Sequence, residues 1–365
     1  MPDVPHDRIG RRIKWVREQQ GLTQQQLTKR IGFNDRQTIA TIEGGKRRIA
    51  PDELVAITKA LDVELDELVD PFRLVGEGGF NFRADDVDAA VVLKFEQLAG
   101  RWIATYRELG RQSGVEPSRL GQKLELTVDS TLEDARDSAE ALRGRWALGD
   151  VPAETLERAI ERELGTLVLY VDAPEGISGA ASHLPGLQTI LVNRNEPASR
   201  RAFDLAHELF HILTWDAMPP ARVEGWELKA TKGNRVERLA NKFAACLLVP
   251  DPVVRERWAQ RADRGVREWV CITARAFRVS PATLQWQLVN LELLPKAQMV
   301  DVTGEGVDRS TATPSLFSAA FVSRVQEAVE AGRLSVRRAA GLLGLSLSDF
   351  ADVCRSYGRP LSYDV

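Results

Sequence analysis

At 365 residues the chain is too long for one small module, and at roughly 100 to 200 residues per domain it holds about two or three. Hydrophobic residues at 44% and charged ones at 28% exclude wholesale disorder and leave apolar material for more than one core. The formal net charge of -3 hides an asymmetry: Asp7 to Arg48 holds eleven Lys/Arg against four Asp/Glu, whereas Ile49 to Gly100 holds four against twelve. Residues 8 to 20 carry Ile9, Ile13 and Val16 on one helical face, and Gly21 ends that helix. Thr23 caps a second helix through Ile31, with Gln26 completing a capping box. A third runs from about Asp35 to Glu43, a fourth opens at Pro51, and Leu65 with Leu68 marks a short fifth.

Residues 71 to 83 are glycine-rich without a clear period and read as a linker. Helical patterns return over Val87 to Leu109, Leu132 to Leu142 and Pro152 to Leu164. TLVLYVD (166 to 172) and QTILVN (188 to 193) read as strands around a turn-prone PEGISG. Helices follow over Pro197 to Thr214 and Asn234 to Leu248, where Pro250 stops the second. The remainder is mostly helical, with 302 to 315 as a joint. Trp102, Tyr106 and Trp146 are expected in the core.

A short helix pair joined by a tight turn, with basic and amide side chains on the second helix, suits a DNA major groove. The string LTQQQLTKRIGFNDRQTIATIEGGKRRI resembles the XRE (Cro/CI-like) helix-turn-helix family over residues 8 to 69, with a turn one residue longer than that family's usual form. The resemblance implies that Gln24 touches the DNA backbone, that Arg36, Gln37, Thr38 and Thr41 lie on the recognition helix, and that Lys46, Arg47 and Arg48 meet phosphates. A solvated basic face on a small bundle is the plainer alternative.

His207-Glu208-Leu209-Phe210-His211 is an HExxH string. On a helix, His207 and His211 project from one face, where both imidazoles can reach one zinc ion, and Glu208 is placed as a base toward water. No histidine follows His211, so a third downstream ligand must be a carboxylate, from Asp216, Glu224, Glu227 or Glu237. Glu237 opens an amphipathic helix whose same-face successors Ala240, Ala244 and Leu248 allow close packing.

GISGAASHLPGLQTILVNRNEPASRRAFDLAHELFHIL with VERLANKFAACLLVP resembles the ImmA/IrrE family of metallopeptidases over about 150 to 295. That resemblance implies one Zn2+ per chain held by His207, His211 and Glu237, Glu208 as general base, and His183 as a candidate to assist an oxyanion. It also implies a small sheet beside the active helix, to whose edge an extended substrate could add a strand. The last 34 residues resemble the helical tail of small prokaryotic regulators, suited to docking or dimerisation as much as to DNA.

The expected fold is mainly α with a small β-sheet, in the order 1-70 helix-turn-helix domain, 71-84 linker, 85-150 helical connecting region, 151-300 zincin-like (gluzincin) α+β metallopeptidase domain, and 301-365 helical segment. No run of about 18 apolar residues occurs, and the first twenty residues carry charges where a signal peptide has its apolar stretch, so neither a membrane nor a secreted protein is expected. Cys246, Cys271 and Cys354 lie far apart without a CxxC pair, which excludes a disulfide framework and points to a cytoplasmic setting. The expected function is a DNA-binding regulator, a homodimer on an inverted-repeat operator, whose zinc endopeptidase cleaves a partner repressor or antitoxin-like protein. The competing expectation is a transcription factor whose metallopeptidase-like body only senses or oligomerises.

Overall fold

The computed structural model describes residues 6–84, 87–114, 122–219, 223–224, 232–261, 264–302 and 312–361. Five helices form the head: α1 (His6–Gln19), α2 (Gln24–Ile31), α3 (Arg36–Glu43), α4 (Pro51–Leu61) and α5 (Leu65–Val69). Their starts follow from local chemistry. Thr23 and Gln26 close the capping box of α2, Asp35 accepts from the Gln37 amide to cap α3, and Pro51 takes the first turn of α4. Gly32, at φ 84, takes the left-handed turn that ends α2. Ile13, Leu27, Ile39, Ile42, Ile57, Leu61 and Leu68 fill a core of the head's own.

The body follows as β1 (Gly79–Ala84), α6 (Ala89–Gln112), α7 (Leu132–Arg145), α8 (Leu156–Leu164), β2 (Leu167–Val171), β3 (Ile177–Leu184) and β4 (Leu187–Asn193). Next come α9 (Ala198–Thr214), β5 (Val223–Glu224), α10 (Lys232–Leu248), α11 (Asp251–Ala259), α12 (Val266–Phe277) and α13 (Pro281–Asn290). The tail adds α14 (Ala319–Glu330), α15 (Val336–Leu343) and α16 (Leu347–Ser356). The sheet order is β2-β4-β3-β1-β5. β3 runs antiparallel to both β4 and β1, while β2 lies parallel to β4.

Alternation along the strands gives the sheet two apolar faces. Val168, Ala181, Ile190 and Val192 face a core with α7, α9, α10, α12 and α13. Phe82, Leu169, Ala180 and Leu191 face a second core with α6 and α14 to α16. Phe82, Phe317 and Phe321 are wholly buried there, each contributing about 1.5 to 3 kcal/mol by the usual measure of apolar burial. The tail therefore covers the back of the sheet.

Two expectations need correction. The expected linker 71–84 ends in a strand: Phe80 and Phe82 alternate with Asn81 and Arg83, a two-residue period hidden among glycines. The span 177–184, whose first three residues fell in the stretch read as turn, is β3. Its glycine, alanines and serines have little intrinsic preference for strand, and their small size suits close packing of α9. The stretch 85–150 divides its helices between the two cores, since α6 packs with α14 and α15 whereas α7 packs on α10. Trp102 and Trp146 are buried as expected, and Tyr106 stacks half-buried on Phe321. Most of the expected joint, 303–311, lies outside the described residues.

Ion pairs join the head to the body. Arg12 of α1 is wholly buried, its Nε 2.8 Å from Glu77 Oε1, and it donates to the carbonyls of Leu68 and Asp70. Glu77 also meets Arg107 of α6 at 2.6 Å, and Arg8 lies 3.5 Å from the buried Glu108.

Candidate metal centre and nucleic-acid interface

From Asp204 to Thr214 every residue of α9 is buried, because one side of the helix lies on β3 and β4 and another on α10. The four-residue spacing brings the Nε2 atoms of His207 and His211 to 3.0 Å. Glu237, on α10, sets Oε2 3.2 Å from His207 Nε2 and Oε1 3.2 Å from His211 Nε2. The three ligand atoms lie within 4.8 Å of one another.

Burial, helped by Arg83, depresses the His207 imidazole to about 4, which keeps it neutral at pH 7. Asn241 decides its tautomer. With Oδ1 3.1 Å from Nδ1, it accepts the ring proton and leaves Nε2 as a donor atom for a metal. Two imidazole nitrogens and one carboxylate are a donor set suited to a divalent transition metal.

Glu208 is fully buried, and neither carboxyl oxygen has a hydrogen-bond partner among the described residues. Burial holds its carboxyl well above the usual range, with Arg83 opposing and Glu237 and Asp204 adding to the rise. A Cβ at Gly179 of β3 would stand only 3.1 Å from the Leu191 carbonyl oxygen and in ordinary contact, at 3.7 Å, with Glu208 Oε1. Asp204, one turn earlier on α9, is pushed up to about 6 by burial, against the pull of Arg83 at 2.6 Å.

The other carboxylates considered from the sequence stand apart. Asp216 is exposed and paired with Lys123 at 2.5 Å. The Glu224 side chain and the whole of Glu227 lie outside the described residues. His183 stacks on Trp215 at 5.4 Å, four residues along β3 from Gly179, a separation of about 13 Å at strand rise. The structure does not bring it to the triad.

In the head, Arg36 and Gln37 are exposed on α3, whereas Thr38 and Thr41 are half-buried. Thr41 turns its hydroxyl back to the Gln37 and Thr38 carbonyls. Lys46 and Arg48 are exposed, while Arg47 pairs with Glu53 at 2.7 Å. Gln24 is engaged within the head, where its amide donates to Glu43 Oε2 at 2.8 Å and its carbonyl accepts from Arg36 Nε at 3.3 Å. Arg17 holds Glu43 from the other side through two bonds of 2.6 and 3.0 Å.

Residues 13–68 match the family model described as helix-turn-helix, and residues 161–288 match the one described as IrrE N-terminal-like domain. The chain joins an XRE-type helix-turn-helix domain to an IrrE/ImmA-like domain. No curated protein matches it. Among solved structures, the apo form of the competence regulator ComR from Streptococcus vestibularis is similar over 96% of this chain and 93% of its own. The identity is 11% and the TM-score 0.18, too low to relate the two folds.

All three triad residues, with Glu208, Gly179 and Asn241, fall inside the IrrE-like match. Arg83 falls outside both matches. Reading the sequence left Asn241 within a motif without a role, and it left Gly179, Asp204 and Arg83 unremarked. Asn241 alone had an available signal, its place one helical turn after Glu237.

Proposed function

We propose that this DNA-binding regulator is a zinc-dependent endopeptidase that cleaves a partner protein, a repressor or antitoxin-like regulator, and so relieves repression. The observation that carries the reading is the meeting of His207, His211 and Glu237 beside a buried Glu208 with two unpartnered oxygens. Zinc, when bound by these three residues, would supply Lewis acidity toward a peptide carbonyl and raise the acidity of water.

The chain's own residues do the rest. Glu208 takes the proton of the attacking water and returns it to the departing amine. Asn241 keeps the His207 ring in one orientation, and the buried walls of α9 and β3 exclude bulk solvent. In the head, Arg36 and Gln37, with Thr38 and Thr41 behind them, face bases and nearby backbone. Lys46, Arg47 and Arg48 neutralise phosphates, and Gln24 supports Arg36 while approaching the backbone. The functional unit in this reading is a homodimer on an inverted repeat in the cytoplasm.

A second reading is favoured by the ion pairs that bind α1 to α6 through Glu77: the IrrE-like body then acts as a sensor that sets the head's orientation. Coexpression with neighbouring regulators separates the two. Cleavage seen by mass spectrometry with the wild type, and abolished by Glu208→Gln while DNA binding persists, supports the peptidase. Intact regulators under both proteins favour the sensor.

A further inference from the structure

Arg83 reaches the metal centre from an unexpected part of the chain. It lies on β1, the strand that follows the head, and its side chain is only 7% exposed. One guanidinium nitrogen stands 2.6 Å from Asp204 Oδ1, and the group covers the Phe203 ring at 5.5 Å. In the sheet, Arg83 pairs with Gly179, the residue against which Glu208 rests. Asp204 precedes His207 and Glu208 on α9 by three and four residues, so all three share one side of the helix.

Helix α9 needs such an anchor. Its N-cap is Pro197, which supplies no side-chain cap. Polar ties from its first half to the strands include Arg200 to Ser178 Oγ at 3.2 Å and Asp204 to Arg83. A buried ion pair of this kind adds little net stability over a well-packed apolar pair, because desolvation offsets the attraction. What it does supply is a fixed direction, since hydrogen-bond geometry admits few arrangements.

We propose that Arg83 is a positioning residue for the metal centre: through Asp204 it ties α9 to β1 and so sets how the helix sits on the sheet, and with it the placement of His207 and Glu208. A part of the IrrE-like site is thus supplied from outside the IrrE-like domain, by the strand that leaves the DNA-binding head. The inference rests on the metal-site reading above.

The test uses full-length protein loaded with Co2+ alone, whose visible bands report ligand geometry, together with zinc affinity by chelator competition and thermal unfolding. Arg83→Met is expected to shift the cobalt bands and weaken zinc about tenfold, the lower end of what outer-shell partners contribute. Arg83→Lys should recover part of both. The double variant Arg83→Met/Asp204→Leu removes both charges and is expected to regain thermal stability while keeping the altered bands and weaker zinc. It also carries the test if Arg83→Met alone does not fold. Wild-type bands and affinity in Arg83→Met, or their return in the double variant along with stability, would overturn the proposal. A wild type that takes up no cobalt overturns the metal-site reading, and this inference with it; a wild type that binds while Arg83→Met is unchanged overturns the inference alone.

Discussion

Asn241 Oδ1 accepts from His207 Nδ1 across the α9–α10 contact, 3.1 Å away and one helical turn beyond Glu237. Helix α10 therefore supplies both one proposed ligand and the group that orients another. Asn241→Leu should weaken zinc about 10- to 100-fold at unchanged stoichiometry under excess metal, measured by chelator competition. Unchanged affinity would mean that packing against Phe203 and the His211 ring suffices to hold the His207 ring.

The ligand set itself makes a sharper prediction. His207→Ala and Glu237→Ala should each lose stoichiometric zinc on gel filtration, whereas Glu208→Gln should keep it, because Glu208 faces the centre without a ligand's place in the triad. Elemental analysis of the purified variants decides this. Full zinc in Glu237→Ala would require another carboxylate, and Asp216 would first have to leave Lys123.

The helices and HExxH were legible because the signals are local: caps, glycine stops and a four-residue histidine spacing act within one or two turns. Glu237 was reachable through the small residues that follow it on the same face. What escaped depends on distant partners. β1 becomes a strand by pairing with β3, nearly a hundred residues later, and the short two-residue period of FNFR among glycines does not announce that partner. The weak strand character of ISGAASHL is the local cost of admitting α9, and the close approach of the Leu191 carbonyl to Gly179 arises only once β4 lies beside β3. Arg83 looked like one charge in a linker until Asp204 stood opposite it.

DNA binding by the head should fall steeply with salt as counterions leave the phosphates. Arg48→Ala should weaken all sequences alike, and Arg47→Ala less so, because Arg47 is held by Glu53. Gln37→Ala should instead reduce discrimination by about 1 to 3 kcal/mol, the worth of a good base contact. A gel-shift series on operator and scrambled duplexes at several salt concentrations checks all three; equal losses on every duplex for Gln37→Ala would remove it from base reading.

The β2 edge of the sheet carries a pH dependence. Glu161 of α8 is pushed up to about 7 by burial and by Glu157, which accepts from Tyr170 at 2.9 Å. Tyr106 of α6 and Tyr357 of α16 feel its charge, while Arg324 stacks on Tyr106 and Arg201 lies near Tyr170. Between the ordinary carboxylate range and pH 7 the unfolded chain has lost this proton and the folded one keeps it. The folded state thus binds more protons, and stability must fall as pH rises through that window. Glu161→Gln should match the wild type near pH 4 and melt higher at pH 7.5. Parallel melting curves at the two pH values would contradict this.

The ion pairs around Glu77 bear on how the heads are presented to DNA. Arg12 and Arg107 meet this one carboxylate at 2.8 and 2.6 Å, so Glu77→Ala leaves both guanidiniums facing each other without it. Breaking buried pairs in this way costs about 3 to 5 kcal/mol, which should loosen α1 from α6 and speed hydrogen exchange in both helices. In the proposed dimer the second half-site is bound within one complex, at an effective concentration set by how firmly the two heads are held. The variant should therefore bind an isolated half-site like the wild type, since α3 is untouched, yet bind a full inverted repeat roughly tenfold more weakly. Truncation after Asp70, which removes Glu77 and the whole body, should bring operator affinity down to that of a single head. Light scattering with gel shifts on half-site and full-site duplexes separates the cases: equal full-site affinity for wild type and Glu77→Ala would mean that the body does not govern how the heads meet DNA.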